Sequence, residues 1–182
     1  MANRLSDFLP DSDPLSEVQV VGKGMSNSGD SYQLIREQDI NAMLKPRNDF
    51  SHKGTYGHAL IIAGEHATMG AALLASSGCL YAGAGLISAC IPESGLTALN
   101  TALPEVMYQS RDRVLQTEVF DRYNAVAIGP GLGLEEEAVA LLSRVIEQDM
   151  PIIADADALN LLSINSLLMQ GLSRNSILTP HM

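Results

Sequence analysis

The sequence contains no tryptophan, and aromatic residues make up only 4% of its 182 positions. Proteins that stack nucleic-acid bases or sugar rings present several aromatic side chains on one surface. The scarcity of such side chains argues against both a base-stacking platform and an aromatic sugar site.

Cysteine is also rare, and Cys79 and Cys90 are the two in the chain. Two isolated cysteines provide neither a metal motif nor a disulfide framework. Both lie among apolar neighbours and neither has a histidine close by in the sequence. We therefore expect buried thiols with no nucleophilic role.

Positively charged residues are few: the sequence contains 11 lysines and arginines and 21 acidic residues, which gives a net charge of −10. This balance argues against non-specific nucleic-acid binding, although an anionic small ligand needs only local positive potential. The sequence shows no apolar run long enough to span a bilayer and no signal segment at its start. We expect a cytoplasmic protein with neither a nucleic-acid nor a membrane partner.

The stretch from His52 to Leu86 is the most informative part of the chain. An apolar run, Ala59–Ala63, is followed by a polar loop, a helix of small residues, Ala71–Tyr81, and a second apolar run, Leu86–Ile91. This order predicts a strand, a helix and a parallel strand. The small side chains fit close packing of the helix on the sheet, which composition favours, or an anionic ligand at the helix start.

The same alternation continues towards the C-terminus. Further predicted helices are Tyr32–Leu44, Leu96–Ala102, a helix opened by Glu135–Glu137 that runs to Ile146, and one that starts at Ala158–Leu162. Further predicted strands are Pro104–Met107, Ala125–Ile128, Pro151–Ala154 and Ser176–Thr179. The pattern does not decide whether Val114–Phe120 is a helix or a loop. Alternating strands and helices predict an α/β domain with a parallel sheet.

A change of composition divides the chain. The first 30 residues are polar, acidic and glycine-containing, with one apolar burst at Val18–Val21. We expect residues 1–45 to be an extension or linker and residues 46–182 to be the α/β domain.

Polar and glycine residues follow four of the predicted strands. They are Gly64, the loop Gly129–Gly133, the pair Asp155 and Asp157, and His181. Because ligands of such sheets bind at the carboxyl ends of the strands, these residues predict one binding site.

Each of these features also has a purely structural interpretation. The loop Gly129–Gly133 has neither the dinucleotide spacing nor the lysine of a P-loop, and it could be a strained connector. Asp155 and Asp157 could hold Mg²⁺, but we expect one of them to cap the following helix. Lys53 could neutralise a phosphate and His181 could contact a ligand, although lone residues of these types are more often solvated.

Seven short motifs occur in an order that resembles one known family. They are H-K-G-T-Y-G-H (52–58), M-G-A-A-L-L-A (69–75), A-G-A-G-L (82–86), L-P-E-V-M (103–107), I-G-P-G-L-G (128–133), D-A-D-A-L-N (155–160) and I-L-T-P-H (177–181). The sequence resembles the ADP/ATP-dependent NAD(P)H-hydrate dehydratases of the ribokinase-like superfamily over roughly residues 31–182. The resemblance implies a three-layer ribokinase-like sheet flanked by helices, incomplete at its C-terminal end.

The resemblance also implies a reaction. In this family a nucleotide, ADP or ATP with Mg²⁺, phosphorylates the hydroxyl of hydrated NADH or NADPH, and loss of phosphate restores the cofactor. Matched positions make Ala71, Gly131 and His181 the substrate-binding residues. Weaker candidates for neighbours of the phosphate or the nucleotide are Lys53, Gly70, Gly133 and Asp155. The family further implies a homo-oligomer, and residues 32–47 resemble the junction to an epimerase module in bifunctional relatives.

The family's catalytic aspartate belongs to a G-T-G-D motif that would lie beyond Met182. We therefore expect no catalytic base in this chain, a hydrate-binding half only, and no turnover by the 182-residue chain alone. Two alternatives remain, a ribokinase-like small-molecule kinase and a non-catalytic fragment that binds nucleotide or a partner subunit. An exposed apolar sheet edge would favour the last of these.

Overall fold

A computed structural model describes residues 36–44, 47–116 and 119–180. The described residues up to Asp49 belong to one unit and those from Phe50 onwards to another. The first unit contains helix α1, Glu37–Met43, which the Asp39 carboxylate helps to start by accepting a hydrogen bond of 2.8 Å from the Arg36 N–H. A helix was predicted over Tyr32–Leu44; its first four residues lie outside the described ranges.

The second unit is built on a parallel sheet of six strands in the order β3-β2-β1-β4-β5-β6. The strands are β1 (His58–Ile62), β2 (Leu86–Ile91), β3 (Met107–Ser110), β4 (Ala125–Ile128), β5 (Ile152–Ala154) and β6 (Ile177–Leu178). The predicted α/β class and parallel sheet are therefore confirmed. The short strands rich in Ile, Val and Ala are typical of a parallel sheet whose faces are covered by helices.

Helices connect the strands and cover the sheet. They are α2 (Met69–Tyr81), α3 (Leu96–Ala102), α4 (Arg111–Gln116), α5 (Glu136–Ile146), α6 (Asp157–Ile164) and α7 (Ser166–Gln170). Helices α5 and α6 bury one face of the sheet around Leu60, Ile62 and Ile128. Helices α2 and α3 bury the other face around Ile61 and Ile91. The result is three layers, as the resemblance implied.

The segment after α3 differs from its predicted structure. The strand begins at Met107, whereas the sequence suggested an extended piece over Pro104–Met107. Leu103 and Val106 are buried, but they form a turn in which the Val106 N–H donates to the Leu103 carbonyl at 3.0 Å. This turn is buried and apolar, so its composition resembles that of a strand. The sequence pattern therefore predicted a strand where the structure has a turn.

Cys90 is fully buried, as expected, and Cys79 is half-buried; neither is disulfide-bonded. Burial raises the pKa of the Cys90 thiol to about 12. None of the helices in the described ranges combines the length and apolar character that a bilayer-spanning helix needs.

Candidate functional site

The carboxyl ends of β1, β4, β5 and β6 meet along one side of the sheet, here called the carboxyl edge. Gly64, Gly129, Asp155 and Thr179 lie just beyond these four strands. The Gly64 N–H donates to the Pro130 carbonyl at 2.8 Å, which joins the chain beyond β1 to the loop beyond β4. His181, which was expected here, lies outside the described residues.

Gly131 and the start of α2 lie against each other at this edge. Gly131 has a φ of +59°, and a Cβ atom at this position would lie 2.9 Å from the Cβ atoms of both Ala71 and Thr68. The Thr68 hydroxyl donates to the Gly131 carbonyl at 2.6 Å. Thus Ala71 and Gly131, 60 residues apart in the sequence, form one surface that only small residues allow.

The rest of the loop Gly129–Gly133 is held equally closely. A Cβ atom on Gly129, whose φ is +127°, would lie 1.8 Å from the Asp155 carbonyl oxygen, so the backbone beyond β4 touches the backbone beyond β5. The Gly133 N–H donates to the Asp157 carboxylate at 2.9 Å. The loop is therefore fixed at both ends.

The two aspartates have different hydrogen-bond partners at this edge. The Asp155 carboxylate accepts a hydrogen bond of 2.7 Å from the Thr179 hydroxyl, which links β5 to β6. Asp157 is the first residue of α6 and binds the Gly133 N–H. The N-cap of α6 is Ala156, so the prediction that one aspartate caps this helix was wrong. Instead, each carboxylate accepts a hydrogen bond from another segment and so links two parts of the carboxyl edge.

Gly70 and Gly133 border the contact between Ala71 and Gly131. A Cβ atom at Gly70 would meet no atom within 4 Å, so the first turn of α2 is open there. The Glu65 carboxylate lies 3.5 Å from the Cβ position of Gly133, and the Glu65 N–H donates to the Thr68 hydroxyl at 3.1 Å. Glu65 and Thr68 thus belong to the site, although sequence reasoning did not single them out.

Arg111 is a third residue that sequence reasoning missed. It follows β3 directly, it is only 6% exposed, and its guanidinium donates both to the Gly64 carbonyl and, at 2.5 Å, to the Glu137 carboxylate. It therefore ties the chain beyond β1 to the first turn of α5. A single arginine between a short strand and a short helix carries no sequence signal for this role.

Lys53 lies at the other end of the sheet. It belongs to a short 3-10 turn, Lys53–Tyr56, that precedes β1, and its carbonyl oxygen packs against Gly85 in front of β2. Its side chain is exposed. The structure does not bring Lys53 together with Ala71, Gly131 and Asp155.

The described residues contain no group of three or more histidine, cysteine, aspartate or glutamate side chains placed to hold a metal ion. Mg²⁺ in nucleotide sites is commonly held by one or two carboxylates together with the phosphates. Asp155 and Glu65 are carboxylates at the carboxyl edge that fit such a minimal role. Any metal at this site would depend on a bound phosphate for most of its ligands.

This geometry defines the class of the protein. A parallel α/β sheet with a tightly held glycine loop and a small-residue helix start at its carboxyl edge is typical of α/β domains that bind small ligands there. A solved ribokinase-like superfamily protein from Enterococcus faecalis has the same fold, with a TM-score of 0.66 and 30% identity over 75% of this chain and 49% of that one. The family model for NAD(P)H-hydrate dehydratase matches residues 59–182, and the chain belongs to this family.

Individual relatives agree with this membership. The chain is 38% identical to the bifunctional NAD(P)H-hydrate repair enzyme Nnr of Escherichia coli over 82% of its length and 28% of the relative's. It is 32% identical to the ADP-dependent (S)-NAD(P)H-hydrate dehydratase of Lactococcus lactis, over 81% of this chain and 54% of that one. A crystal structure of the Bacillus subtilis ADP/ATP-dependent dehydratase, co-crystallised with ATP and Mg²⁺, aligns with a TM-score of 0.62 and 36% identity, over 68% of this chain and 46% of that one.

The chain thus spans about half the length of the single-function dehydratases that it matches, and less of the bifunctional ones. The aligned half includes the carboxyl edge described above, because the family model covers all of Gly64, Ala71, Gly131 and Asp155.

Proposed function

We propose that this chain supplies the hydrate-binding half of a domain that converts hydrated NADH or NADPH back to NADH or NADPH. ADP or ATP with Mg²⁺ would serve as the phosphoryl donor, because relatives are ADP-dependent and one was co-crystallised with ATP and Mg²⁺. The complete reaction belongs to the whole dehydratase domain, of which the chain spans about half.

The observation that carries this proposal is the contact of Gly131 with Ala71. The resemblance matches both positions to the family's substrate-binding residues, and together they form a surface of small residues at the carboxyl edge. A hydrated nicotinamide ring needs such close access to backbone groups, which any larger side chain at residue 131 would block. His181 completes the proposed substrate contacts, with Gly70, Gly133 and Asp155 as neighbours of the phosphate.

The phosphoryl donor would bring its own negative charge to this surface. The open first turn of α2 at Gly70 presents the positive end of a 13-residue helix, which favours an anionic group. Asp155 would contribute one carboxylate to the magnesium ion. A homo-oligomer in the cytoplasm is part of the same proposal and rests on the family alone.

The direct test measures binding of purified hydrated NADPH to the chain by isothermal titration calorimetry. We expect Gly131→Val to weaken binding at least tenfold, because its side chain would collide with Ala71 and Thr68. Gly57→Ala is the matched control, since Gly57 also has a positive φ, +79°, but lies at the opposite end of the sheet. Equal binding by the Gly131→Val variant and the wild type would refute the proposed site.

The reaction itself is tested by product analysis of the chain assembled with the second half of a dehydratase domain. A dehydratase releases NADPH and free phosphate from hydrated NADPH, whereas a small-molecule kinase leaves a stable phosphorylated alcohol. Accumulation of a phosphorylated product without NADPH would favour the kinase.

A further inference from the structure

Glu65 lies at the carboxyl edge, shortly beyond β1, in a turn that two hydrogen bonds hold. The Glu65 N–H donates to the Thr68 hydroxyl at 3.1 Å, and the Thr68 N–H donates back to the Glu65 carbonyl at 3.1 Å. The same hydroxyl donates to the Gly131 carbonyl at 2.6 Å. The backbone of Glu65 is therefore fixed relative to the surface that Ala71 and Gly131 form.

The Glu65 carboxylate packs against the loop Gly129–Gly133, which faces the start of α2. One of its oxygens lies 3.5 Å from the position that a Cβ atom on Gly133 would occupy, so the carboxylate fills the space that a side chain at residue 133 would need. Glu65 is exposed, and no described residue donates a hydrogen bond to its carboxylate. The carboxylate is thus an unused acceptor beside the substrate surface.

The part of the site around Gly133 is negatively charged. The Gly133 N–H donates to the Asp157 carboxylate at 2.9 Å, so the carboxylates of Asp157 and Glu65 both border this residue. Two carboxylates repel a phosphate and attract a hydrogen-bond donor. Of the two glycines proposed as neighbours of the phosphate, Gly70, at the positive end of α2, is therefore the favoured one.

The hydrated nicotinamide ring carries two polar substituents, a hydroxyl and a carboxamide, at opposite ends of the ring. The hydroxyl receives the phosphoryl group in the proposed reaction, so it must face the phosphate at Gly70. The carboxamide then points away from Gly70 and towards Gly133. Its NH₂ group offers two donors, which match a carboxylate acceptor.

We propose that Glu65 determines specificity for the carboxamide: its carboxylate accepts a hydrogen bond from the NH₂ group of hydrated NADH or NADPH. The inference rests on the proposed function, because it takes the ring to lie on the surface of Ala71 and Gly131. An analogue that lacks the NH₂ group would cover the Glu65 carboxylate without satisfying it, and this costs binding free energy.

The test compares hydrated NADPH with the hydrated form of its 3-acetylpyridine analogue, in which a methyl group replaces the NH₂ group. Binding of each ligand to the 182-residue chain is measured by isothermal titration calorimetry in the presence of EDTA. We expect the wild type to prefer the amide by about tenfold or more. Glu65→Ala should lower this preference to about twofold or less, because the acceptor for the NH₂ group is gone.

Two further variants separate the hydrogen bond from the change of charge. Glu65→Gln removes the charge but keeps an acceptor oxygen, so it should retain part of the preference for the amide. Glu105→Gln is the matched control, because Glu105 is also exposed but lies before β3, at the opposite end of the sheet. It should show the wild-type preference.

The possible failures are distinguishable. Equal binding of both ligands by the wild type, or an unchanged preference in Glu65→Ala, would overturn the inference and leave the proposed function standing. A preference that appears only when Mg²⁺ replaces EDTA would also overturn it, since Glu65 would then act through the metal. A wild-type chain that binds neither ligand would refute the proposed function, and this inference with it.

Discussion

At the scale of single residues, Arg111 is the clearest example of a side chain that holds the site together. Its guanidinium lies below the carboxyl edge and binds both the Gly64 carbonyl and the Glu137 carboxylate. Burying a charge is costly unless it is paired and hydrogen-bonded. Arg111 is paired through its two terminal nitrogens, whereas its Nε is buried without a hydrogen-bond partner among the described residues. The residue therefore stabilises the path of the chain beyond β1 and the start of α5 at once.

We expect Arg111→Met to lower the free energy of unfolding by about 1–3 kcal/mol, because the Gly64 carbonyl loses its buried donor. The larger cost of an abandoned buried charge does not apply, since the Glu137 side chain is 48% exposed and remains solvated. Urea denaturation followed by circular dichroism provides the measurement.

Arg111→Lys is the companion variant, because it keeps the charge and can still reach one of the two acceptors. It should lose less stability than Arg111→Met. If the free energy of unfolding of Arg111→Met lies within about 0.5 kcal/mol of the wild-type value, this pairing contributes little to stability.

His58, at the amino end of the sheet, leads us to expect a particular direction in which the stability of the protein changes with pH. Its ring accepts or donates a hydrogen bond of 2.9 Å with Ser88 and packs edge-on against Tyr123. Burial, and secondarily the nearby Arg122 charge, lower the pKa of His58. The unfolded chain therefore binds the proton more readily than the folded one, and stability should fall as the pH drops below about 6.5.

Urea denaturation between pH 5 and 8 tests this expectation. His58→Gln keeps a hydrogen-bonding group for Ser88 and should flatten this part of the pH profile. The same substitution at His66, an exposed residue in the loop after β1, is the control for the loss of an imidazole elsewhere in the chain. A profile that His58→Gln does not alter would contradict the assignment.

At the scale of elements, the sequence predicted best those segments that have clear chemical boundaries. The strands Leu86–Ile91 and Ala125–Ile128 and the helix Leu96–Ala102 agree with the structure at both ends. Glycine or proline lies next to each of the first two, and strong turn residues fix such boundaries. The short helix α7 was not predicted, and α4 overlaps Val114–Phe120, for which the sequence left helix and loop open. Five or six residues show too little periodicity to decide.

Helix α7 nevertheless had one local signal. The Asn165 side chain accepts hydrogen bonds of 3.2 and 3.3 Å from the Leu167 and Leu168 N–H groups. Asn165→Ala should therefore cost about 1 kcal/mol of unfolding free energy, again measured by urea denaturation.

Asn165→Asp is the matched control for this cap. It keeps the acceptor oxygen and adds a charge that the helix start favours, so it should stay within about 0.5 kcal/mol of the wild type. Equal losses in both variants would point to a role other than capping.

At the scale of the whole molecule, the order of motifs allowed the grouping of Gly64, Gly131 and Asp155 to be predicted, because parallel strands bring their carboxyl ends together. The particular contacts could not be predicted. The proximity of Gly131 to Ala71, and of Arg111 to Gly64, depends on how loops fold back on one another. One of the two aspartates was assigned to capping because a residue's nearest helix is visible in a sequence and a distant loop is not.

The apolar sheet edge that would favour association is present in the described residues, since Ile177 and Leu178 of β6 are both exposed. The sequence alone could not show that exposure extends inwards to Ile153, because its apolar pattern is the same on covered and uncovered strands. Face coverage is a property of the assembled layers.

The strand order also has a consequence for synthesis on the ribosome. β1 is central, yet one of its two neighbours, β4, is made much later: the His58 N–H donates to the Asn124 side chain, 66 residues further along. We expect β1–β3 to associate first. Leu60 and Ile62 then stay uncovered in this partly folded chain until β4 and α5 emerge. Such delayed long-range pairing slows folding and exposes apolar surface, so the nascent chain should depend on chaperones during that interval.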